Sequence, residues 1–250
     1  MTKILGAGAL VFLCVGLLAC SSTTTDDELL TRLGNLDKEE IFAEAEELYA
    51  AEEYAEARGL FSFLYDTFPN DPMGHKAALR VADTYSVKKD TTSLTEARLR
   101  YRDFANRYPN DPDRDYALLM LGNTYTARLG RADRDLTHSR EGIKAYRQLV
   151  HLYPQSAYVE VAQERIQRVE ENFAEHEWLV AKYYSRNKRW RGTLWRLEYL
   201  KEAYPSYSGM EAVDELMAEA QGALTARQTE IDEMKRLQKL EKIDDHQPVQ

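Results

Sequence analysis

The sequence predicts an all-α fold, a tetratricopeptide-repeat solenoid of about five helix pairs, and three observations carry that reading. Apolar residues recur at three- and four-residue spacing through a chain that is 30% charged, the pattern of amphipathic helices. Six of the seven prolines fall between Pro69 and Pro205 in four short clusters, and a proline, lacking an N–H, ends a helix. Those clusters share one register. Eight residues before the first proline stands Phe61, Tyr101, Tyr146 or Leu197, and twelve before it stands Ala57, Ala97, Gly142 or Thr193. Both positions lie on one helix face, with the small residue where a neighbouring helix comes close.

The helix ahead of each of these carries a partner pattern, a small residue followed three later by Leu or Tyr: Ala45/Leu48, Ala82/Tyr85, Gly122/Tyr125 and Ala181/Tyr184. From small residue to small residue the distances are 12, 15, 20 and 12. The first and last equal the tetratricopeptide spacing. The extra residues of the middle two are expected in loops at Lys88–Ser93 and Gly130–Thr137, where length changes cost little. The clusters Phe68-Pro69-Asn70-Asp71, Tyr108-Pro109-Asn110-Asp111, Tyr153-Pro154-Gln155-Ser156 and Tyr204-Pro205-Ser206 supply side chains that can cap the following helix. Residues 156–172 are expected as an extra helix pairing with 173–187. Residues 209–242 read as one long helix or a degenerate fifth pair, with Val213, Leu216, Met217, Leu224, Ile231, Met234 and Leu237 on its apolar side. An atypical last repeat is what a solenoid needs to cover its end.

The organisation expected is a leader over 1–19, a flexible tether over 20–35, the repeat domain over 36–243 and a disordered tail over 244–250. Lys3 opens the leader, and Ile4 to Leu18 is an apolar run of 15 residues, short for a membrane span but suited to a signal peptide. Its end, Leu17-Leu18-Ala19-Cys20, resembles the bacterial lipobox. That resemblance implies lipid attachment at Cys20 and, with Ser21 next, an outer-membrane, lipid-anchored protein. Cys14 lies in the leader, so a lipidated Cys20 leaves no cysteine for a disulfide.

Catalytic sets are not evident. The five histidines are scattered, and no H-E-x-x-H, phosphate loop or nucleophile elbow occurs. No cofactor or metal site is expected, and a formal charge of −9 excludes nucleic-acid binding by bulk electrostatics. Charge is segregated instead. Between Asp26 and Glu56 stand 12 acids against Arg32 and Lys38, whereas Lys182, Arg186, Lys188, Arg189, Arg191, Arg196 and Lys201 face Glu198 alone. Trp190 and Trp195 lie in that basic stretch, and Arg and Trp are enriched at interface hot spots. Residues 183–201 are therefore a candidate docking face for an acidic partner. Trp190, at the repeat's packing position, is expected to hold the turn.

Specific stretches then narrow the family. Ala174-Glu175-His176-Glu177 through Tyr184, Trp190 to Pro205, Arg134-Asp135, the run Arg147 to Tyr158, and Asp115-Tyr116-Ala117-Leu118 resemble the BamD family, tetratricopeptide lipoproteins of the β-barrel assembly machinery. The resemblance covers nearly all of 17 to 225. It implies a periplasmic, non-enzymatic subunit that binds the POTRA domains of the barrel-forming subunit and receives unfolded outer membrane proteins. Accessory lipoproteins are further partners it implies. It places Arg196 against the barrel-forming partner and Tyr49, Tyr54, Tyr65 and Phe68 near bound peptide, while the basic stretch itself adds Arg186, Arg189 and Arg191 to the partner-binding set. A second reading keeps the fold for a lipoprotein scaffold of pilus secretin assembly or cell-division coordination. A cell-wall lytic enzyme would need a lysozyme-like domain, and the repeats leave no segment for one.

Overall fold

The computed structural model describes residue 34, residues 36–127 and residues 136–244, with side chains to Leu240. The described residues form nine helices and no strand. They are α1 (Lys38–Ala50), α2 (Tyr54–Thr67), α3 (Pro72–Ser86), α4 (Thr91–Arg107), α5 (Arg114–Thr126), α6 (Thr137–Leu152), α7 (Val159–Arg186), α8 (Trp190–Ala203) and α9 (Met210–Asp244). Each helix packs on the next in chain order, and α1 also reaches α3. That is the nearest-neighbour layout of an all-α solenoid: four pairs closed by one long helix.

The small-residue register governs the packing. Ala45, Ala57, Ala82, Ala97, Ala181 and Thr193 are fully buried, as are Phe61, Tyr101, Tyr146 and Leu197. In the third pair the approach is closest. A Cβ on Gly122 would fall 2.2 Å from the Tyr146 ring, so only glycine admits that ring. Seven residues after the small residue of α1, α3 and α7 the chain turns left-handed, at Glu52, Lys89 and Lys188 (φ 64°, 55° and 54°). Each of these residues reverses the chain between paired helices.

The proline clusters are i to i+3 turns. Phe68, Tyr108, Tyr153 and Tyr204 each accept a backbone N–H from the residue three later, at 2.9 to 3.2 Å. In the first three, the side chain closing the turn is then tied to the start of the preceding helix pair. Lys38 donates to Asp71 at 2.5 Å, His75 pairs with Asp111 at 2.7 Å, and Ser156 donates to Asp115 at 2.5 Å. Lys38, His75 and Asp115 all stand seven before the small residue of their own helix. Asp71 also accepts the Met73 N–H at 2.8 Å, and Pro72 at the first position of α3 has no N–H to leave unpaired.

Two sequence expectations change, and one left open is decided. The extra residues of the second pair do not form a loop over Lys88–Ser93: Asp90 caps the Ser93 N–H at 2.9 Å, and α4 starts a turn early, running 17 residues where α2 and α8 run 14. Residues 156–172 do not make a separate helix. They run unbroken into 173–187 as the 28-residue α7, because no Gly or Pro interrupts them and the buried Ala162, Val169, Phe173, Ala174, Glu177 and Ala181 stay in phase. Residues 210–244 are one helix, not a pair. Val213 is buried on it, but Met234 and Leu237 are each 56% exposed, since α9 outruns the α8 surface it covers. The third-pair expectation at Gly130–Thr137 lies outside the described residues except for its last two, of which Thr137 opens α6.

Candidate functional site

Two surfaces each hold part of the set that sequence singled out. The first lies on α1, α3 and α5. Glu46, one residue past the small Ala45, holds Arg80 through two hydrogen bonds of 2.6 and 2.5 Å. Arg80 also donates to Asp83 at 3.0 Å, and Asp83 accepts the Tyr101 hydroxyl at 2.5 Å and the Tyr116 hydroxyl at 2.9 Å. Asp83 is nearly fully buried; burial pushes its carboxyl up, against the hydrogen bonds from Tyr101, Tyr116 and Arg80 that favour its ionised form. Burial would lower Arg80, but Glu46 and Asp83 outweigh it and hold the guanidinium charged. Above this network opens a groove of about 310 Å³ that Phe42, Lys76, Asp113 and Tyr116 help to line.

Tyr49 and Tyr54 meet beside it, edge to face at 5.3 Å, with Arg80 over the Tyr49 ring at 4.1 Å. Burial raises the Tyr49 hydroxyl. Tyr65 and Phe68 are not brought to this pair. Eleven residues of helix place Tyr65 about 16 Å from Tyr54. There the Tyr65 hydroxyl accepts from Arg107 at 2.6 Å, while Phe68 packs at the end of the first core.

The second surface is on α8. Trp195 is 59% exposed and stacks on Tyr199, with ring planes 14° apart. Arg196 lies over the Trp195 ring at 4.8 Å and donates to Glu177 of α7 at 2.8 Å. Tyr199 meets Tyr204 edge-on, and Tyr204 meets Phe173. The Tyr204 hydroxyl is pushed up to about 12 by burial and by Tyr199. The other three arginines separate from this strip. Arg189 and Arg191 line a groove with Trp190, Leu224 and Ile231. Arg186 lines a different one with Trp178, Glu215 and Glu219. Trp190 is half-buried at the turn, as its register position predicts.

Sequence reasoning missed the Asp83 network, and a signal for it exists. The residue after the small one in α3 and α5 is Asp83 or Asn123, and the aromatic facing it in α4 or α6 is a tyrosine. Tyr146 donates to Asn123 at 2.9 Å as Tyr101 does to Asp83. Where that position holds Phe61 or Leu197 there is no hydroxyl to satisfy. Cys20 and Arg134-Asp135 lie outside the described residues. Among the described residues no group of His, Cys, Asp or Glu could hold a metal ion, and no helix is long and apolar enough to cross a membrane.

A family model described as outer membrane lipoprotein, YfiO, matches residues 35–237. The chain belongs to the YfiO family of outer membrane lipoproteins. The match takes in all of α1 to α8 and most of α9, so both surfaces lie inside the family region. Among curated proteins, the chain is similar to the outer membrane protein assembly factor BamD of Vibrio cholerae, 28% identical over 92 residues, 37% of this chain and 38% of that one. It is likewise similar to the BamD of Haemophilus influenzae, 29% identical over 91 residues and 35% of each chain. The chain thus spans little more than a third of the length of these relatives.

Proposed function

We propose that this YfiO-family chain is a lipid-anchored, non-catalytic scaffold for assembling β-barrel proteins into the outer membrane. In this reading residues 1–19 are a leader, Cys20 carries the acyl chains, 20–35 tether the repeat domain of 36–243 to the periplasmic face, and 244–250 trail. The α8 surface centred on Arg196 and Trp195 engages POTRA domains of a barrel-forming subunit, with Arg189 and Arg191 in one neighbouring groove and Arg186 in another as further contacts. The α1–α3 groove beside Tyr49 and Tyr54 receives unfolded outer membrane protein, and accessory lipoproteins dock elsewhere.

The single observation that carries the reading is the exposed Trp195–Tyr199 stack with Arg196 over it. A large aromatic left 59% in water is a cost that a monomer avoids and an interface uses. The Arg80–Glu46 clamp beside two tyrosines supports a groove preformed for an extended chain,.

The test is affinity purification from detergent-solubilised envelope. Trp195→Ala and the pair Arg189→Glu with Arg191→Glu should lose the barrel-forming subunit while keeping the helical circular dichroism. Arg196→Glu is a poorer probe, because it sets a carboxylate against the buried Glu177. Unchanged capture by both variants overturns the α8 assignment, and recovery of a secretin or of division proteins instead favours the second reading.

A further inference from the structure

We propose that the cavity between α3, α5 and the first half of α7 binds a phosphate group carried on an apolar body. The cavity measures about 480 Å³, within the range of small-ligand sites. Cations enter it from two directions: Lys89 from the α3–α4 turn, Arg165 and Arg168 from α7. The two arginines stand three apart on one helix, so both leave from the same side. None of the described lining residues is acidic, and none of the three cations forms an ion pair with a described residue. Arg80, Arg147 and Arg196 each hold a carboxylate.

A second observation is independent of charge. The Nε of Arg165 is buried with no hydrogen-bond acceptor among the described residues, as are those of Arg98, Arg100 and Arg196, although buried N–H groups nearly always find one. The Asn123 amide donates to the soft Met120 sulfur, at 3.2 Å, a weak acceptor. The hydroxyls of Ser86, Thr124 and Thr126 are turned back to carbonyls of their own helices. Those hydroxyl protons are spent, so the donors left for an anion are the three cations and the Arg165 Nε–H,. Val87, Leu94 and Val169 supply apolar wall beside them.

Charge decides the class of oxyanion. Three cations exceed what one carboxylate neutralises, whereas a phosphate monoester carries about −1.5 to −2 at neutral pH. Guanidinium forks also bind phosphate oxygens in pairs. The phosphate can come from a lipid headgroup or from free phosphate, and the apolar wall favours the lipid.

Calorimetric titration of the full chain separates these sources. The probes are inorganic phosphate, monomeric dihexanoyl phosphatidic acid, the zwitterionic dihexanoyl phosphatidylcholine, and an acidic peptide. Phosphatidic acid should bind with a dissociation constant on the order of 1 mM or tighter, weaken with added salt, and bind Arg168→Gln and Lys89→Gln at least about tenfold more weakly. Both substituted residues are exposed, so these variants should fold, and Arg147→Gln, outside the cavity, should bind as the parent does. Equal affinity for inorganic phosphate overturns the apolar body and assigns the site to the free anion. No binding of either phosphate probe, binding untouched by the cavity variants, or tighter binding of the acidic peptide or of phosphatidylcholine overturns the proposal as a whole.

Discussion

A single methyl group separates glycine from alanine, and at position 122 that difference is decisive. The Tyr146 ring already occupies the space a Cβ would need. Gly122→Ala should therefore lower the melting temperature, by about 1–3 kcal/mol of stability from overpacking. Gly59, inside α2 with open space where a methyl group would project, is the opposite case. Gly59→Ala should raise stability by about 0.5–1 kcal/mol, because the helix gains a better former at no steric cost. Thermal melts of the two variants side by side check the contrast. Asp83 is the other residue on which much depends. Asp83→Ala would leave Arg80 and two tyrosine hydroxyls short of an acceptor, and breaking a buried charged pair typically costs about 3–5 kcal/mol. Tyr101→Phe, which removes one donor only, should cost about 1 kcal/mol. A larger loss from Tyr101→Phe than from Asp83→Ala would refute this account of the network.

Helices are legible in this sequence where punctuation and periodicity agree, and less so where only one is present. The four turns closed by Phe68, Tyr108, Tyr153 and Tyr204 announce themselves through proline, and the residues counted back from them are buried as expected. The ties of Lys38, His75 and Asp115 to the next turn are invisible in sequence, because a polar residue near a helix start looks like solvated surface until its partner some 33 to 41 residues on is in place. The early start of α4 escapes the repeat spacing because Asp90 caps it within the very stretch expected to loop. The strip on α8 is half legible. Tryptophan and arginine mark the stretch, but only the fold decides that Trp195 faces water and that Arg186 lies apart from Arg196. The continuity of α7 can be tested directly. Asn172→Pro at its middle should cost about 3 kcal/mol or more, measured by urea unfolding, whereas two independent helices would absorb it for less. For α9, ending the chain after Ala226 should leave the melting temperature nearly unchanged, since the residues beyond it are mostly exposed. Ending it after Gly209 uncovers Leu197, Leu200 and Tyr207 and should lower it markedly.

Across the whole molecule, acidity tests how the repeats are joined. Lys38 holds the Asp71 carboxyl below its ordinary value, and the Met73 N–H adds to that. A depressed carboxylate stabilises the fold fully above the unfolded value near 4 and loses that contribution as pH falls through the lower folded value. Asp83 runs the other way: raised by burial, it penalises the fold at neutral pH, and the penalty fades as pH falls through its folded value. Melts followed from pH 7 to pH 3 should show a steeper acid loss in the parent than in Asp71→Asn, and a shallower one than in Asp83→Asn. Equal slopes in parent and Asp71→Asn would remove the Lys38 tie from the account.

One unbroken rod, α7, belongs to two neighbourhoods at once: its first half lies against α6 and its second half against α8. At about 1.5 Å per residue, 28 residues make a girder of roughly 42 Å,. It admits no pivot between the third and fourth pairs. Glu177, which holds Arg196 beside Trp195, and Arg165, which lines the cavity, therefore stand on the same beam, twelve residues apart.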